Sequence, residues 1–136
     1  MRQILLFAAL ATSLALLSGC TLSKTKADTA EDMTGKAAYH KISAEEAYEM
    51  MASQEVVVVD VRTREEYDGG HIENAILVPN ESIGSGMPEA LPDKEATLLI
   101  YCRSGRRSKD AAEKLLALGY QSVYDFGGVI DWPYEL

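Results

Sequence analysis

The chain has 136 residues, 47% of them apolar and 25% charged, which bounds it to one ordinary domain with short extensions and excludes a disordered polypeptide. Its formal net charge of −8 gives no support to nucleic-acid binding, since that requires a broad basic face. Only two cysteines and two histidines are present, too few and too scattered for metal-ligand spacing, so no metal centre is expected.

Met1 and Arg2 form a short positive start, followed by an apolar run over residues 4–17 that only Thr12 and Ser13 interrupt. A bilayer-spanning helix needs about 20 apolar residues, so this run fits the hydrophobic stretch of a secretory signal peptide better than a membrane span. It ends in Leu17-Ser18-Gly19-Cys20, which resembles the bacterial lipobox. That resemblance implies a signal peptide over residues 1–19, cleavage before Cys20, and acyl chains on Cys20 that anchor the protein to a membrane. Loss of Arg2 with the leader takes the net charge to −9. Thr21 in place of Asp, by analogy with lipoprotein sorting in Gram-negative cells, favours the outer membrane and its periplasmic side. Residues 20–38, rich in Thr, Ser, Lys, Asp and Ala with no apolar period, are expected to be a flexible tether.

The folded domain is expected over residues 39–136. Ser43 and Glu46 have capping-box spacing and predict a helix over 44–52. The β-branched run at 56–60 predicts a strand buried on both faces, as in a parallel sheet. Thr63 and Glu66 repeat the capping box ahead of a short helix that Gly69-Gly70 ends. A short strand is expected at 75–78, stopped by Pro79, then a loop over 81–92 with a helical turn near 87–91. A second buried strand is predicted at 97–101. Ser108 is a candidate N-cap for a helix running to 118, with Gly119 at its C-terminal cap. A last short strand at 121–124 precedes a Gly127-Gly128 turn and a brief helix at 129–132. Strands alternating with helices predict an α/β domain with a mainly parallel sheet, whose site lies beyond the carboxyl ends of the strands.

One loop carries recognisable chemistry. Cys102-Arg103-Ser104-Gly105-Arg106-Arg107-Ser108 lies between a buried strand and a helix start. Positive charge and a helix N-terminus both favour the thiolate, the nucleophilic form of cysteine. Arg103, Arg106, Arg107 and Lys109 supply charge, and Gly105 allows a tight curl in which successive N–H groups converge as an anion nest. Such a focus in an acidic protein attracts a small anion that presents an atom a thiolate can attack.

The ordered set YCRSGRRS at 101–108, Ala111-Ala112, Leu115-Leu116, Gly119-Tyr120, Gly127-Gly128 and Trp132 resembles the active-site half of the rhodanese family. Asp60-Val61-Arg62, Glu66-Tyr67, Gly70-His71-Ile72, Ala75 and Pro79 resemble its first half, so the likeness covers about residues 39–134. It implies a single rhodanese-like domain with a five-stranded, mainly parallel sheet flanked by helices. It further implies a sulfurtransferase in which Cys102 takes a sulfane sulfur from thiosulfate or a related donor and passes the persulfide sulfur to cyanide or a thiol. Backbone N–H groups from Arg103 to Ser108, including those of Ser104, Gly105, Arg106 and Arg107, would hold the persulfide; Arg103, Arg106 and Arg107 are candidates to hold the donor. No cofactor is implied. Asp60 and Arg62 are expected to brace the loops, His71 to pack in a turn rather than act as a base, and Trp132 to plug the core near the site.

Two alternatives compete. A persulfide relay or docking module with little turnover would use the same loop. Cysteine-based phosphatases and arsenate reductases resemble the fold, but their pattern places Arg six positions after the cysteine, where this chain has Ser108. Because Cys20 would be lipidated, oxidised Cys102 could be rescued only by an external thiol, a possible partner in the cell envelope.

Overall fold

The computed structural model describes residues 37–136. The expected leader, the lipidation site Cys20 and nearly all of the tether lie outside the described residues. The elements in chain order are β1 (Ala38–Lys41), α1 (Ala44–Ser53), β2 (Val57–Asp60), α2 (Arg64–Asp68), β3 (Ile76–Leu77), the 3-10 turn Asn80–Ser82, β4 (Thr97–Cys102), α3 (Arg106–Ala117), β5 (Ser122–Gly128) and the 3-10 turn Val129–Asp131. They form an α/β domain.

The strands make one sheet in the order β1-β5-β4-β2-β3, and every pairing is parallel. β4 is central, and its residues Leu98 to Cys102 are all buried. Alternate side chains serve two half-cores. Leu98, Ile100 and Cys102 pack with Ala111, Ala112, Leu115 and Tyr120 on the α3 face. Leu99 and Tyr101 pack with Ala47, Ile72, Phe126 and Trp132 on the other. This two-sided burial is why the strand is continuously apolar, and each fully buried Leu or Ile contributes roughly 1.5–3 kcal/mol.

Both predicted capping boxes are present. Ser43 Oγ accepts from the Glu46 N–H while the Glu46 carboxylate accepts from the Ser43 N–H, and Thr63 and Glu66 do the same for α2. α3 ends in a Schellman motif: the Tyr120 N–H donates to Leu115, the Gly119 N–H to Leu116, and Gly119 has φ +96°.

Four expectations are corrected. An edge strand, β1, precedes α1, where none was expected; its exposed residues carry no apolar alternation. β5 runs on through Gly127 and Gly128 instead of ending at 124, because Phe126 is an extra residue where the register slips from Ile100↔Asp125 to Tyr101↔Gly127. α3 begins at Arg106 behind Gly105, not behind Ser108; Gly105 adopts φ +95°, and the Ser108 hydroxyl is turned inward, within the first turns. A 3-10 turn at Asn80–Ser82 stands where a loop was expected.

Candidate active site

The chain runs from β2 out to β3 and returns to β4 on the other side of β2, so β2 and β4 are neighbours whose crossovers leave in opposite directions. The crevice beyond their carboxyl ends is the usual place for a site in such a sheet. Asp60-Val61-Arg62 leaves one strand there and Cys102-Arg103 the other.

Cys102 ends β4 and is only 1% exposed. Its Sγ accepts a hydrogen bond from the Gly105 N–H at 3.0 Å, and Ser108 Oγ is 3.8 Å away. Ser108 Oγ also lies 3.0 Å from the Gly105 carbonyl oxygen, so its single proton can serve either that oxygen or the sulfur. Burial opposes the thiolate, but the N–H groups of Ser108, Gly105 and Ser104 and the Ser108 hydroxyl outweigh it, so the Cys102 thiol lies below its ordinary value. The loop is therefore a built anion nest around one sulfur, at the start of a twelve-residue helix.

Glycines let the nest close. A Cβ on Gly128 would lie 2.3 Å from the Arg103 carbonyl oxygen and 2.6 Å from Ser104 Cα, so the loop rests directly on the β5 backbone. Gly127, with φ +92°, stands beneath Gly105, and the Ile130 N–H donates to the Arg103 carbonyl at 3.2 Å. Asp125, fully buried, supports this bend: it accepts from the Gly127 N–H at 2.8 Å and from the Tyr39 hydroxyl at 2.8 Å, with Lys41 Nζ at 3.3 Å. Sequence reasoning missed Asp125 and Tyr39, whose partnership depends on the pairing of β1 with β5.

Of the three candidate anion holders, Arg103 and Arg106 are exposed and make no ion pair among the described residues. Arg107 instead grips Glu66 on α2 with two hydrogen bonds of 2.7 and 2.8 Å. Ser104 is exposed at the loop tip, and Ser108 is buried behind the sulfur.

Asp60 and Arg62 form a buried fork at 2.6–3.0 Å, and Arg62 also donates to the Gly70 carbonyl. His71 stacks on Tyr67 with ring centroids 3.7 Å apart. Its Nδ1 is 2.9 Å from the Tyr67 carbonyl oxygen, which can only accept, so Nδ1 carries the proton. Trp132 is buried beside Phe126. Among the described residues no group of three or more His, Cys, Asp or Glu could hold a metal ion, and no helix is long and apolar enough to cross a membrane.

The profile described as "Rhodanese-like domain" matches residues 43–133. The chain belongs to the rhodanese-like family. Among solved structures, this rhodanese-like chain is similar to a human single-domain sulfurtransferase (26% identity, 68% of this chain and 93% of that one, TM-score 0.61). It is also similar to a rhodanese-like domain protein from Staphylococcus aureus (34%, 68% and 90%, TM-score 0.59) and to an E. coli structure described as rhodanese with anions (37%, 55% and 88%, TM-score 0.51). Curated relatives include tRNA uridine(34) hydroxylases from Hamiltonella defensa (35% identity, 78% of this chain, 32% of that protein) and Yersinia pestis (34%, 68% and 28%). The chain spans about a third of the length of these curated relatives. The similarities support a sulfurtransferase-type family, with a cysteine of catalytic type at 102.

Proposed function

We propose that the protein is a sulfurtransferase that moves a sulfane sulfur from thiosulfate, or a related small anionic donor, through a Cys102 persulfide to cyanide or a thiol. The observation that carries this reading is the Cys102 sulfur held by converging N–H groups of its own loop, with Gly105 at 3.0 Å. The thiolate attacks the outer sulfur of thiosulfate; the sulfur–sulfur bond breaks and sulfite leaves with the electron pair. The persulfide that remains is an anion one sulfur longer. The N–H groups that favour the thiolate favour it as well, in the manner of an oxyanion hole. The acceptor then attacks the terminal sulfur, and the Cys102 thiolate departs as the leaving group. No redox partner is consumed when cyanide is the acceptor, and the product is thiocyanate. Arg103 and Arg106, exposed at the mouth, would draw the donor in.

The hydroxylase activity named for the curated relatives belongs to much longer proteins, and the acidic composition here lends no basic face for tRNA. We further propose, from the lipobox-like Leu17-Ser18-Gly19-Cys20 alone, that the domain works in a bacterial cell envelope, lipid-anchored on the periplasmic side, where an envelope thiol could be both acceptor and reductant. Thiocyanate formation from thiosulfate and cyanide by purified protein, absent from Cys102→Ser, is the expected result. Equal formation by both proteins would defeat the reading. Sulfur uptake without thiocyanate would turn it into a persulfide relay.

A further inference from the structure

The loop places three arginines within five residues, yet they are not equivalent. Glu66 caps α2 by accepting from the Thr63 N–H at 3.1 Å with the same oxygen that takes Arg107 at 2.7 Å; its other oxygen takes the second arm of Arg107 at 2.8 Å. The pair spans 41 residues of sequence, and its side chains are 18% and 28% exposed, so it is shielded well enough to persist. Arg107 is the second residue of α3, directly before Ser108, whose N–H and hydroxyl act on the sulfur. Besides Glu66, Cys102 and Glu81 from the Asn80–Ser82 turn interact with its charge. Glu65 and Glu66 also line a shallow depression of about 320 Å³ with Arg62, Arg103 and the apolar Val129 and Ile130. Of the three loop arginines, Arg103 and Arg106 make no ion pair among the described residues, whereas Arg107 is already held by a carboxylate.

We propose that Glu66 is a specificity-determining positioning residue: by holding Arg107 with both oxygens it withdraws that guanidinium from the donor and limits the charge of anion the site accepts. Glu66 touches no reacting atom and acts through Arg107. A dianion such as thiosulfate gains more than a monoanion from each additional free guanidinium, so Glu66 tilts the site toward singly charged donors such as persulfides and thiosulfonates. The inference rests on the sulfurtransferase reading for its donor; the electrostatic claim itself can be read without turnover.

The test compares alkylation of Cys102 by iodoacetate, an anion, with alkylation by neutral iodoacetamide, in wild type, Glu66→Gln, Arg107→Met and the double variant. Freeing Arg107 to make a charge-assisted contact should raise the iodoacetate-to-iodoacetamide rate ratio about fivefold in Glu66→Gln. Removing the carboxylate charge alone, through solvent, accounts for no more than roughly threefold, which is the most expected when Glu66→Gln is added to Arg107→Met. The KM for thiosulfate should fall in parallel, and by more than the KM for a monoanionic thiosulfonate. A ratio that is unchanged, or that changes equally with and without Arg107, would overturn the proposal. So would a loss of thermal stability unaccompanied by any change in ratio, which is what a purely capping role predicts. Should Glu66→Gln fail to fold, the comparison of Arg107→Met with Arg103→Met and Arg106→Met still decides. Arg107→Met is expected to lower the ratio no more than either, and a larger loss overturns the proposal. Absence of thiocyanate formation by the wild type would defeat the sulfurtransferase reading while the alkylation ratios still judged Glu66.

Discussion

Gly128→Ala isolates the geometry of the cysteine loop from its chemistry. Gly128 has φ −120° and ψ 142°, a conformation alanine adopts freely, so the substitution carries no backbone penalty of its own. The added methyl would lie 2.3 Å from the Arg103 carbonyl oxygen, 2.8 Å from its carbon and 2.6 Å from Ser104 Cα, all backbone atoms that cannot rotate away. Reaching even a 3.0 Å contact requires the loop to lift by at least about 0.7 Å, since close-packed interiors leave no slack. That displacement moves the N–H groups that converge on Cys102 Sγ. Overpacking of this kind costs typically 1–3 kcal/mol of stability, and a misplacement near 1 Å costs on the order of 10²-fold in rate. The assay is thiocyanate formation and the pH profile of Cys102 alkylation, both well below the melting temperature of the variant. Gly84→Ala, where an added Cβ meets nothing within 4 Å, is the control. A Gly128→Ala protein with wild-type alkylation and turnover would refute the claim that the seating of this loop sets the reactivity of Cys102.

Ser108→Ala keeps the backbone N–H but removes the hydroxyl that helps hold Cys102 below its ordinary value, so the alkylation profile should move toward higher pH; an unmoved profile would assign the effect to the backbone alone. Glu66 is pulled down to about 2, chiefly by its hydrogen bonds from Arg107. A carboxylate depressed on folding stabilises fully above its unfolded value, near 4.5, and loses that contribution as pH falls toward about 2. Urea unfolding across that window should therefore show a loss of stability that is shallower in Arg107→Met. Arg62→Met leaves Asp60, fully buried, without its partner, and should destabilise by about 3–5 kcal/mol in denaturant unfolding; a change under 1 kcal/mol would mean water replaces the guanidinium.

Much of this arrangement could be read from local pattern. The β-branched run before Asp60 and the apolar run before Cys102 announce buried parallel strands, and the two capping boxes mark where α1 and α2 begin. The cysteine loop was legible because its features are contiguous: strand end, cation run, glycine and helix start. What escaped depends on distant partners. β1 carries no apolar alternation and exists through its pairing with β5. Gly127 and Gly128 resemble a turn in sequence, yet they continue β5 past a bulge because the Cys102 loop needs bare backbone beneath it. Ser108 looks like a helix cap, but Gly105 takes that place at positive φ while the serine faces the sulfur. Arg107 looks like a free cation until Glu66, 41 residues earlier, is brought against it.

The most direct test of the account is the intact mass of the protein after incubation with thiosulfate, followed by peptide mapping before and after addition of cyanide. One added sulfur atom is expected, carried by Cys102, removed by cyanide and absent from Cys102→Ser. No added sulfur from thiosulfate or polysulfide, or sulfur found on the Cys102→Ser protein, would contradict it.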